Sequence, residues 1–317
     1  SFPKPLSTEE LRKVQDVTNS FIEREVPVDS YVASLDQAQQ ISSLRAVFGE
    51  VYPDPVRVVA ISTAPVTDML NNPQNAAWNA DSVEFCGGTH LQNSKQAQRF
   101  ILLQEEGIAK GIRRITGLTQ KDANTAYELG QDLIAKVDAS SALPDDSNEL
   151  ESQVKLFLEA VNTAAISAVT KAELRLKLES CAKRVIANKK KQEKQKTQKI
   201  VAQVLEAAKQ SKDNNKIVLQ IDFGIDGKVA KAVQAAYGKD AISSQVACLL
   251  ITSCQQQNKF MVVAFTGKKN KSVDCKAWAT AAIQGTNGKG GGKKDSAQFQ
   301  VMDLKLIGSV KDKANSF

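Results

Sequence analysis

One long stretch almost free of helix-breaking residues constrains the fold of this chain more than any other feature. From Lys121 to Lys212, Gly130 and Pro144 are the only glycine and the only proline. Because these two residue types weaken a helix interior most, their near absence favours long helices. Apolar residues here also recur at alternating steps of four and three, as in a helix that buries one stripe. The sequence therefore predicts a long antiparallel, coiled-coil-like helical connector over residues 121–215.

Two details refine the predicted connector. The segment "SSALPDDSN", residues 140–148, separates a first helix from a hairpin-like pair that follows. The segment "NKKKQEKQKTQK", residues 188–199, has no apolar residue, although apolar stripes lie on both sides of it. One long helix with a solvated middle accounts for both observations. The lysine run is then a wetted helix face, and contact with nucleic acid is the alternative.

The segment before the connector, residues 1–120, predicts an α+β domain. Ser7-Thr8-Glu9-Glu10 has the capping-box pattern that opens a helix, here over residues 7–25. Three β segments follow this helix, at residues 56–61, at 82–85 and, as a hairpin, at 99–119.

The segment after the connector, residues 216–317, alternates strand-like and helical patterns and predicts a small α/β domain. "KIVLQIDFG", "SQVACLLITS" and "KFMVVAFTGK" are typical of strands, whereas "KVAKAVQAAYG" and "DCKAWATAAIQG" are typical of helices. The closing "VMDLKLIGSVKD" is predicted as helix. The fold class as a whole is α+β.

The charge of the chain is distributed unevenly. Residues 216–317 contain fifteen lysines and seven aspartates with no glutamate or arginine, which gives this segment a net charge of +8. The net charge of the whole chain is +7. Positive charge confined to one terminal domain indicates a polyanionic partner. Lysine acts as a point charge on phosphate, whereas arginine is better suited to base edges. We therefore expect this domain to recognise a backbone or a shape; a lysine-rich surface kept for solubility is the alternative.

The sequence disfavours a membrane protein and a protein held together by disulfides. No apolar run is long enough to span a bilayer, and the N-terminal sequence lacks the layout of a signal peptide, so we expect no membrane partner. The five cysteines are scattered and odd in number, which fits buried or metal-binding thiols rather than a disulfide framework. The expected location is the cytoplasm.

The only histidine of the chain, His90, lies in "SVEFCGGTHLQNS", four residues after Cys86. A thiolate and an imidazole at this spacing can bind one Zn²⁺ if Gly87 and Gly88 let the chain turn back. A pair supplies only two of the usual three or four ligands. On spacing alone, a buried cysteine with a hydrogen-bonded histidine and a Cys–His nucleophile remain open.

The second glycine-rich stretch is "GKGGGKKD", residues 288–295. Consecutive glycines in a loop let successive backbone N–H groups converge on an anion, and Lys289, Lys293 and Lys294 add positive charge. The GxxxxGK[ST] spacing of a Walker loop is absent. Taken alone, the stretch fits an anion-binding loop or a flexible linker.

A family resemblance connects these stretches. "SVEFCGGTHLQNS", "EEGIAKGIRRITGLT" and "RAVFGEVYPDPVRVV" resemble the editing domain of alanyl-tRNA synthetase, especially its eukaryotic cytosolic form. "CKAW" and "GTNGKGGGKKDSAQ" are similar to the C-terminal domain of that enzyme, whose glycine-rich motif is shared with DHH-type phosphoesterases. The resemblance implies a partial editing domain over 1–120, the connector over 121–215, and a DHH-associated tRNA-binding domain over 216–317.

The resemblance also implies a ligand set. In the family, two histidines of an HxxxH motif and the Cys and His of CxxxH hold the editing zinc. Cys86 and His90 match the second motif, whereas this chain has no second histidine. We therefore expect the sequence to begin inside the editing domain and to supply half of a zinc site, as a C-terminal fragment of a longer polypeptide.

For function, the resemblance implies hydrolysis of the ester that joins serine or glycine wrongly to tRNA(Ala). Thr89, Arg113 and Arg114 are candidate contacts for the tRNA 3′ end; a turn hydroxyl and a solvated basic pair are the alternatives. The candidates for tRNA(Ala) binding in the last domain are Lys289, Gly290, Gly291, Gly292, Lys293, Lys294 and Trp278. Trp278 fits a core position as well as base stacking.

The resemblance also has implications for the parent enzyme, for activity and for self-association. The aminoacylation core of the parent enzyme, with its ATP and Mg²⁺ sites, is expected upstream, so this chain alone is expected to be inactive. Self-association through the C-terminal domain is a further expectation. Two alternative functions stay open: an autonomous trans-editing deacylase, and a nucleic-acid- or partner-binding module without chemistry.

Overall fold

The computed structural model describes residues 4–47, 49–211, 215–267, 269–270 and 272–317. The chain divides into two compact units, Ser1–Ile186 and Ala187–Phe317. Helices and sheets are both present, which confirms the predicted α+β class. Among the described residues, no helix is both long and apolar enough to cross a membrane.

The first unit opens with the predicted helix α1, Thr8–Glu23. The capping box is formed: Glu10 N–H donates to Ser7 Oγ at 3.2 Å, and Ser7 N–H donates to the Glu10 carboxylate at 2.7 Å. The hydrogen bond from the Ser7 backbone holds the pKa of Glu10 below its usual value. Further along α1, the Asn19 amide exchanges two hydrogen bonds with the backbone of Phe100, at 2.8 and 2.9 Å. These bonds fix α1 to the hairpin that follows.

A four-stranded sheet forms the centre of the N-terminal half of this unit. Its strands are β1 (Val28–Ala33), β2 (Leu44–Arg45), β3 (Val56–Ile61) and β4 (Ser82–Phe85), in the order β1-β3-β4-β2. The short helices α2 (Leu35–Ala38) and α3 (Val66–Asn71) pack on it, and Met69 of α3 and Val83 of β4 are fully buried in the shared core. Both strands predicted here, residues 56–61 and 82–85, are confirmed at their predicted bounds.

The predicted hairpin is also confirmed, as β5 (Phe100–Ala109) and β6 (Ile112–Thr119). It leads into three helices, α4 (Gln120–Ser141), α5 (Asn148–Thr163) and α6 (Ala168–Gln210). Leu133, Leu150 and Leu178 meet in the core of these helices. The single long helix predicted through the lysine run is confirmed by α6, which contains 43 residues.

The second unit contains the C-terminal part of α6 and a five-stranded sheet in the order β10-β11-β9-β8-β7. The strands are β7 (Lys216–Gln220), β8 (Ala247–Cys254), β9 (Lys259–Phe265), β10 (Lys289–Gly292) and β11 (Ser296–Met302). Its helices are α7 (Gly227–Tyr237), α8 (Cys275–Ala282) and α9 (Ile307–Ser316).

Both faces of this sheet are covered. On one face Leu250 and Val263 pack against α7 and against Val204 and Ala208 of α6. On the other face Leu249 and Val262 pack against α8 and α9. The helix predicted for "VMDLKLIGSVKD" is partly wrong, because its first two residues end β11 and the helix begins only at Ile307.

Candidate functional site

The Cys86–His90 turn begins where β4 ends, and Arg57 of the neighbouring β3 holds it. Cys86 N–H donates to the Arg57 carbonyl at 3.3 Å. The Arg57 guanidinium donates to the Gly88 carbonyl at 2.7 Å and to Ser30 Oγ at 3.3 Å. The turn is therefore fixed from one strand at both its start and its middle. Sequence reasoning missed Arg57, because strand pairing brings it to a turn about thirty residues away.

The side chains of this turn differ in exposure. Cys86 is half-buried, whereas Thr89 and His90 are exposed. Across the described ranges, no group of three or more His, Cys, Asp or Glu side chains is placed to hold a metal ion. Zinc takes four protein ligands in structural sites and three in catalytic sites. Cys86 and His90 therefore do not by themselves form a zinc site.

The two arginines of the hairpin are engaged across it. Arg113 forms an ion pair with Glu105 on β5, and both side chains are largely buried, at 19% and 5% exposure. Arg114 lies 3.8 Å from Glu106 and is 60% exposed. Arg113 thus stabilises the hairpin, whereas Arg114 stays accessible at a weak surface pair.

The glycine-lysine stretch adopts a different structure from the predicted loop. Lys289–Gly292 forms the edge strand β10, which pairs antiparallel with β11. In a strand, successive N–H groups point in opposite directions and do not converge on one anion. The predicted anion-binding convergence of these glycines is therefore wrong. All four residues of β10 are exposed, as are Lys293 and Lys294 in the turn that follows.

Close approach of β10 to β11 explains two of the glycines. A Cβ on Gly290 would lie 2.6 Å from Phe299 Cα and closer still to the Gln298 carbonyl oxygen. A Cβ on Gly292 would lie 2.6 Å from Ala297 Cβ. Real Cβ atoms essentially never come within 3.0 Å of such neighbours. Only glycine fits at these two positions.

Backbone hydrogen bonds fix the turn after β10. Lys293 N–H donates to the Ser296 carbonyl at 2.7 Å, and the Lys294 carbonyl accepts from Cys275 N–H at 2.9 Å. Within the ranges the structure describes, neither lysine has an ion-pair partner. Burial raises the pKa of the Cys275 thiol to about 12, so this cysteine stays protonated and inert. The turn thus presents two free ammonium groups on a rigid support.

Trp278 is not a stacking surface. Its side chain is fully buried in the core between the sheet, α8 and α9. Its Nε1–H donates to the Ala314 carbonyl at 2.8 Å. Because no ring face reaches solvent, the proposed base-stacking role is corrected to a core role.

Three domain families match the chain in succession. Residues 56–116 match the threonyl and alanyl tRNA synthetase second additional domain. Residues 123–188 match the alanine–tRNA ligase domain, and residues 213–317 match the DHHA1 domain. The Cys86–His90 turn lies in the first of these matches, and β10 lies in the third.

Relatives match along most of the chain. The cytoplasmic alanine–tRNA ligase of Dictyostelium discoideum is 32% identical over 305 residues, covering 94% of this chain and 32% of that protein. The mitochondrial alanine–tRNA ligase of Saccharomyces cerevisiae is 41% identical over 185 residues, covering 58% of this chain and 19% of that protein. This chain therefore spans about a third of the length of the Dictyostelium relative.

The similarity of this chain to one solved structure is low. The C-Ala domain of Aquifex aeolicus alanyl-tRNA synthetase aligns over 32% of this chain and 86% of its own length, at 14% identity and a TM-score of 0.25. The family assignment depends on the three domain matches and the curated relatives. Their order and extent show that the chain belongs to the alanyl-tRNA synthetase family, as a C-terminal portion of the eukaryotic form.

Proposed function

We propose that this chain is the part of alanine–tRNA ligase that binds tRNA(Ala) and contributes to hydrolytic editing of Ser-tRNA(Ala) and Gly-tRNA(Ala). We further propose a division into a partial editing domain (1–120), a helical connector (121–215) and a tRNA-binding domain (216–317). The aminoacylation core, with ATP and Mg²⁺, would lie outside this sequence. The observation that carries the proposal is the exposed lysine turn after β10, within the DHHA1 match.

Charge and geometry both support RNA as the ligand of that turn. Lys289, Lys293 and Lys294 are exposed at one edge of the sheet, and the second unit contains no arginine at all. Lysine-only surfaces hold phosphates without reading base edges. Because transfer RNA is recognised largely through its shape and backbone, such a surface fits a tRNA.

The editing contribution rests on the Cys86–His90 turn. Cys86 and His90 would be two zinc ligands, and the remaining two would have to come from residues outside this sequence. Arg57 keeps the turn in place, while exposed Thr89 and Arg114 are available to a tRNA 3′ end. We expect no ester hydrolysis by this chain alone, because the ligand set is incomplete. A chain extended upstream should hydrolyse Ser-tRNA(Ala), and equal activity in both chains would refute this part.

The RNA-binding part has its own test, fluorescence anisotropy of labelled tRNA(Ala) at increasing salt. Each phosphate contact contributes about 0.7 to 0.9 to the slope of log affinity against log salt. With three lysines in contact, affinity should fall about 20- to 40-fold between about 50 and 200 mM salt. The variant Lys293→Gln/Lys294→Gln should reduce the steepness of this slope by about 1.4 to 1.8, which is about 0.7 to 0.9 for each lysine removed.

A matched control and a competitor complete this test. The control is Lys305→Gln/Lys311→Gln, which removes the same charge at Lys305, just beyond the far end of β11, and at Lys311 in α9. Failure of the chain to bind tRNA at low salt, or binding indifferent to salt, would refute the proposal. Tighter binding to duplex DNA than to tRNA would favour a binding module without a role in tRNA handling. Sedimentation analysis would test self-association through the C-terminal domain, which we propose as a secondary property.

A further inference from the structure

A cleft of about 920 Å³ lies in the second unit between α6 and the segment that connects β7 to α7. The wall on α6 carries Lys190, Lys194, Lys196 and Lys199, and the opposite wall carries Asp222, Asp226 and Lys228. The lysines of both walls are exposed. This cleft is separate from the lysine turn after β10.

The composition of α6 explains why the cleft stays open. Ile200, Val204 and Ala208 form an apolar stripe that packs on the α/β body of the unit. Continued towards the N-terminus in helical steps of three and four, the stripe becomes Thr197, Glu193 and Lys190. Since these side chains are polar, they gain nothing by packing against the body. This part of α6 therefore does not pack against the α/β part of the unit and instead forms one wall of a polar cleft.

The charges in the cleft are unequally engaged. Asp222 accepts hydrogen bonds from the backbone N–H and the hydroxyl of Ser253, at 3.0 and 2.7 Å. Asp226 caps α7 by accepting Lys228 N–H at 2.7 Å and Val229 N–H at 3.3 Å. Both carboxylates thus have hydrogen-bond donors from their own domain.

The lysines of the cleft have no such partners. Lys190, Lys194, Lys196, Lys199 and Lys228 form no ion pair with any residue in the described parts of the chain. Five ammonium groups therefore face one cleft that holds only three carboxylates, the third being Glu193. Such a concentration of unpaired positive charge in a concave site attracts a polyanion.

We propose that this cleft is a second phosphate-binding surface that receives the RNA backbone, an inference that rests on the proposed RNA-binding function. The four lysines on α6 span residues 190–199, about 14 Å along the helix axis at 1.5 Å per residue. A nucleic-acid backbone carries a row of phosphates over that length. An acidic peptide is the competing ligand; lysine commonly binds phosphate as a point charge without the fork of arginine, so a lysine-only wall favours a row of phosphates.

The test uses the full chain and the variant Lys194→Gln/Lys199→Gln. Glutamine has a helix propensity close to that of lysine, so α6 should persist, as circular dichroism can verify. Loss of two phosphate contacts should lower the slope of log affinity against log salt by about 1.4 to 1.8. Lys305→Gln/Lys311→Gln, with the same charge change on the other side of the sheet, should leave the slope unchanged.

The outcomes separate this inference from the proposed function. If wild-type chain binds no tRNA, both fail. If Lys293→Gln/Lys294→Gln lowers the slope but Lys194→Gln/Lys199→Gln does not, the cleft inference alone is overturned. An equal loss in the Lys305→Gln/Lys311→Gln control would also overturn it, since the effect would then be one of net charge. Polyglutamate binding that requires Lys194 and Lys199, together with tRNA binding that does not, would assign the cleft to an acidic peptide instead.

Discussion

The substitution Gly290→Ala tests whether the close pairing of β10 with β11 supports the lysine turn. The added Cβ would lie 2.6 Å from Phe299 Cα, about 0.4 Å inside the 3.0 Å limit, and closer still to the Gln298 carbonyl. Both neighbours belong to the backbone of β11, which is itself paired with β9. Since β11 is held on its other side, β10 is the strand that must move.

The size of the effect follows from what β10 contributes. The strand pairs with one neighbour over four residues, and all four are exposed. Separation of β10 from β11 would therefore break a few exposed hydrogen bonds and expose little apolar surface. At about 0.5 to 1.5 kcal/mol for each net hydrogen bond, we expect a loss of about 1 to 3 kcal/mol, confined to this edge. The lysine turn then loses its fixed geometry, and tRNA affinity should fall about three- to tenfold, equivalent to about 0.7 to 1.4 kcal/mol.

Hydrogen exchange and anisotropy measure these two effects, with Gly291→Ala as the matched control. A Cβ at Gly291 meets no atom within 4 Å, so this variant should keep the amide protection of β11 and bind tRNA as the wild type does. It should be as stable or slightly more stable, because alanine lowers the entropy of the unfolded chain. Equal protection and equal affinity in both variants would show that close approach of β10 is not needed.

Three further predictions concern residues elsewhere in the chain. Trp278→Phe should lower the free energy of unfolding by about 2 kcal/mol, because it leaves the Ala314 carbonyl without its donor and opens a cavity. The affinity for tRNA should stay constant. Reduced tRNA affinity at unchanged stability would instead support base stacking by Trp278. Burial raises the pKa of Cys275 from about 9 to about 12, so the native thiol keeps its proton where the unfolded one ionises. Stability measured by urea unfolding should be full below about pH 9 and fall above it, where burial raises the pKa of the Cys248 thiol as well. Cys275→Ala should make the decline between about pH 9 and 12 shallower by its own share, whereas an unchanged decline would refute the assignment. Metal analysis should find far less than one zinc per chain, and one per chain only after an upstream extension that supplies two histidines; stoichiometric zinc in the present chain that is lost in Cys86→Ser/His90→Ala would refute the half-site.

The elements that were predicted correctly carry their signals locally. The Ser7 and Glu10 side chains bond the backbone within one turn, so α1 can be located from four consecutive residues. Alternation and β-branched content place β3 at residues 56–61 without any tertiary information. The long apolar-free run of α6 remains helical because a helix satisfies its own backbone and the lysines stay in water.

The features that were missed depend on tertiary contacts. Glycines disfavour strands, so β10 has no local signal; its close pairing with β11 leaves no room for a Cβ at Gly290 and Gly292. The break between α5 and α6 contains no glycine or proline. Arg57 reaches Gly88 only after β3 and β4 have paired. Strand pairing in the sheet brings such residues together, and a short stretch of sequence does not contain both partners.

The order of the strands in the five-stranded sheet predicts that the two lysine surfaces act independently of each other. The turn after β10 and the cleft beyond β7 lie at opposite edges of the five-stranded sheet, four strand spacings or about 19 Å apart. Since this exceeds the Debye length of about 8 Å at physiological salt, neither surface should sense the charge of the other. Losses of binding free energy from Lys293→Gln/Lys294→Gln and Lys194→Gln/Lys199→Gln should therefore add within about 0.5 kcal/mol in the combined variant. A combined loss no greater than either loss alone would mean that a single RNA does not engage both edges.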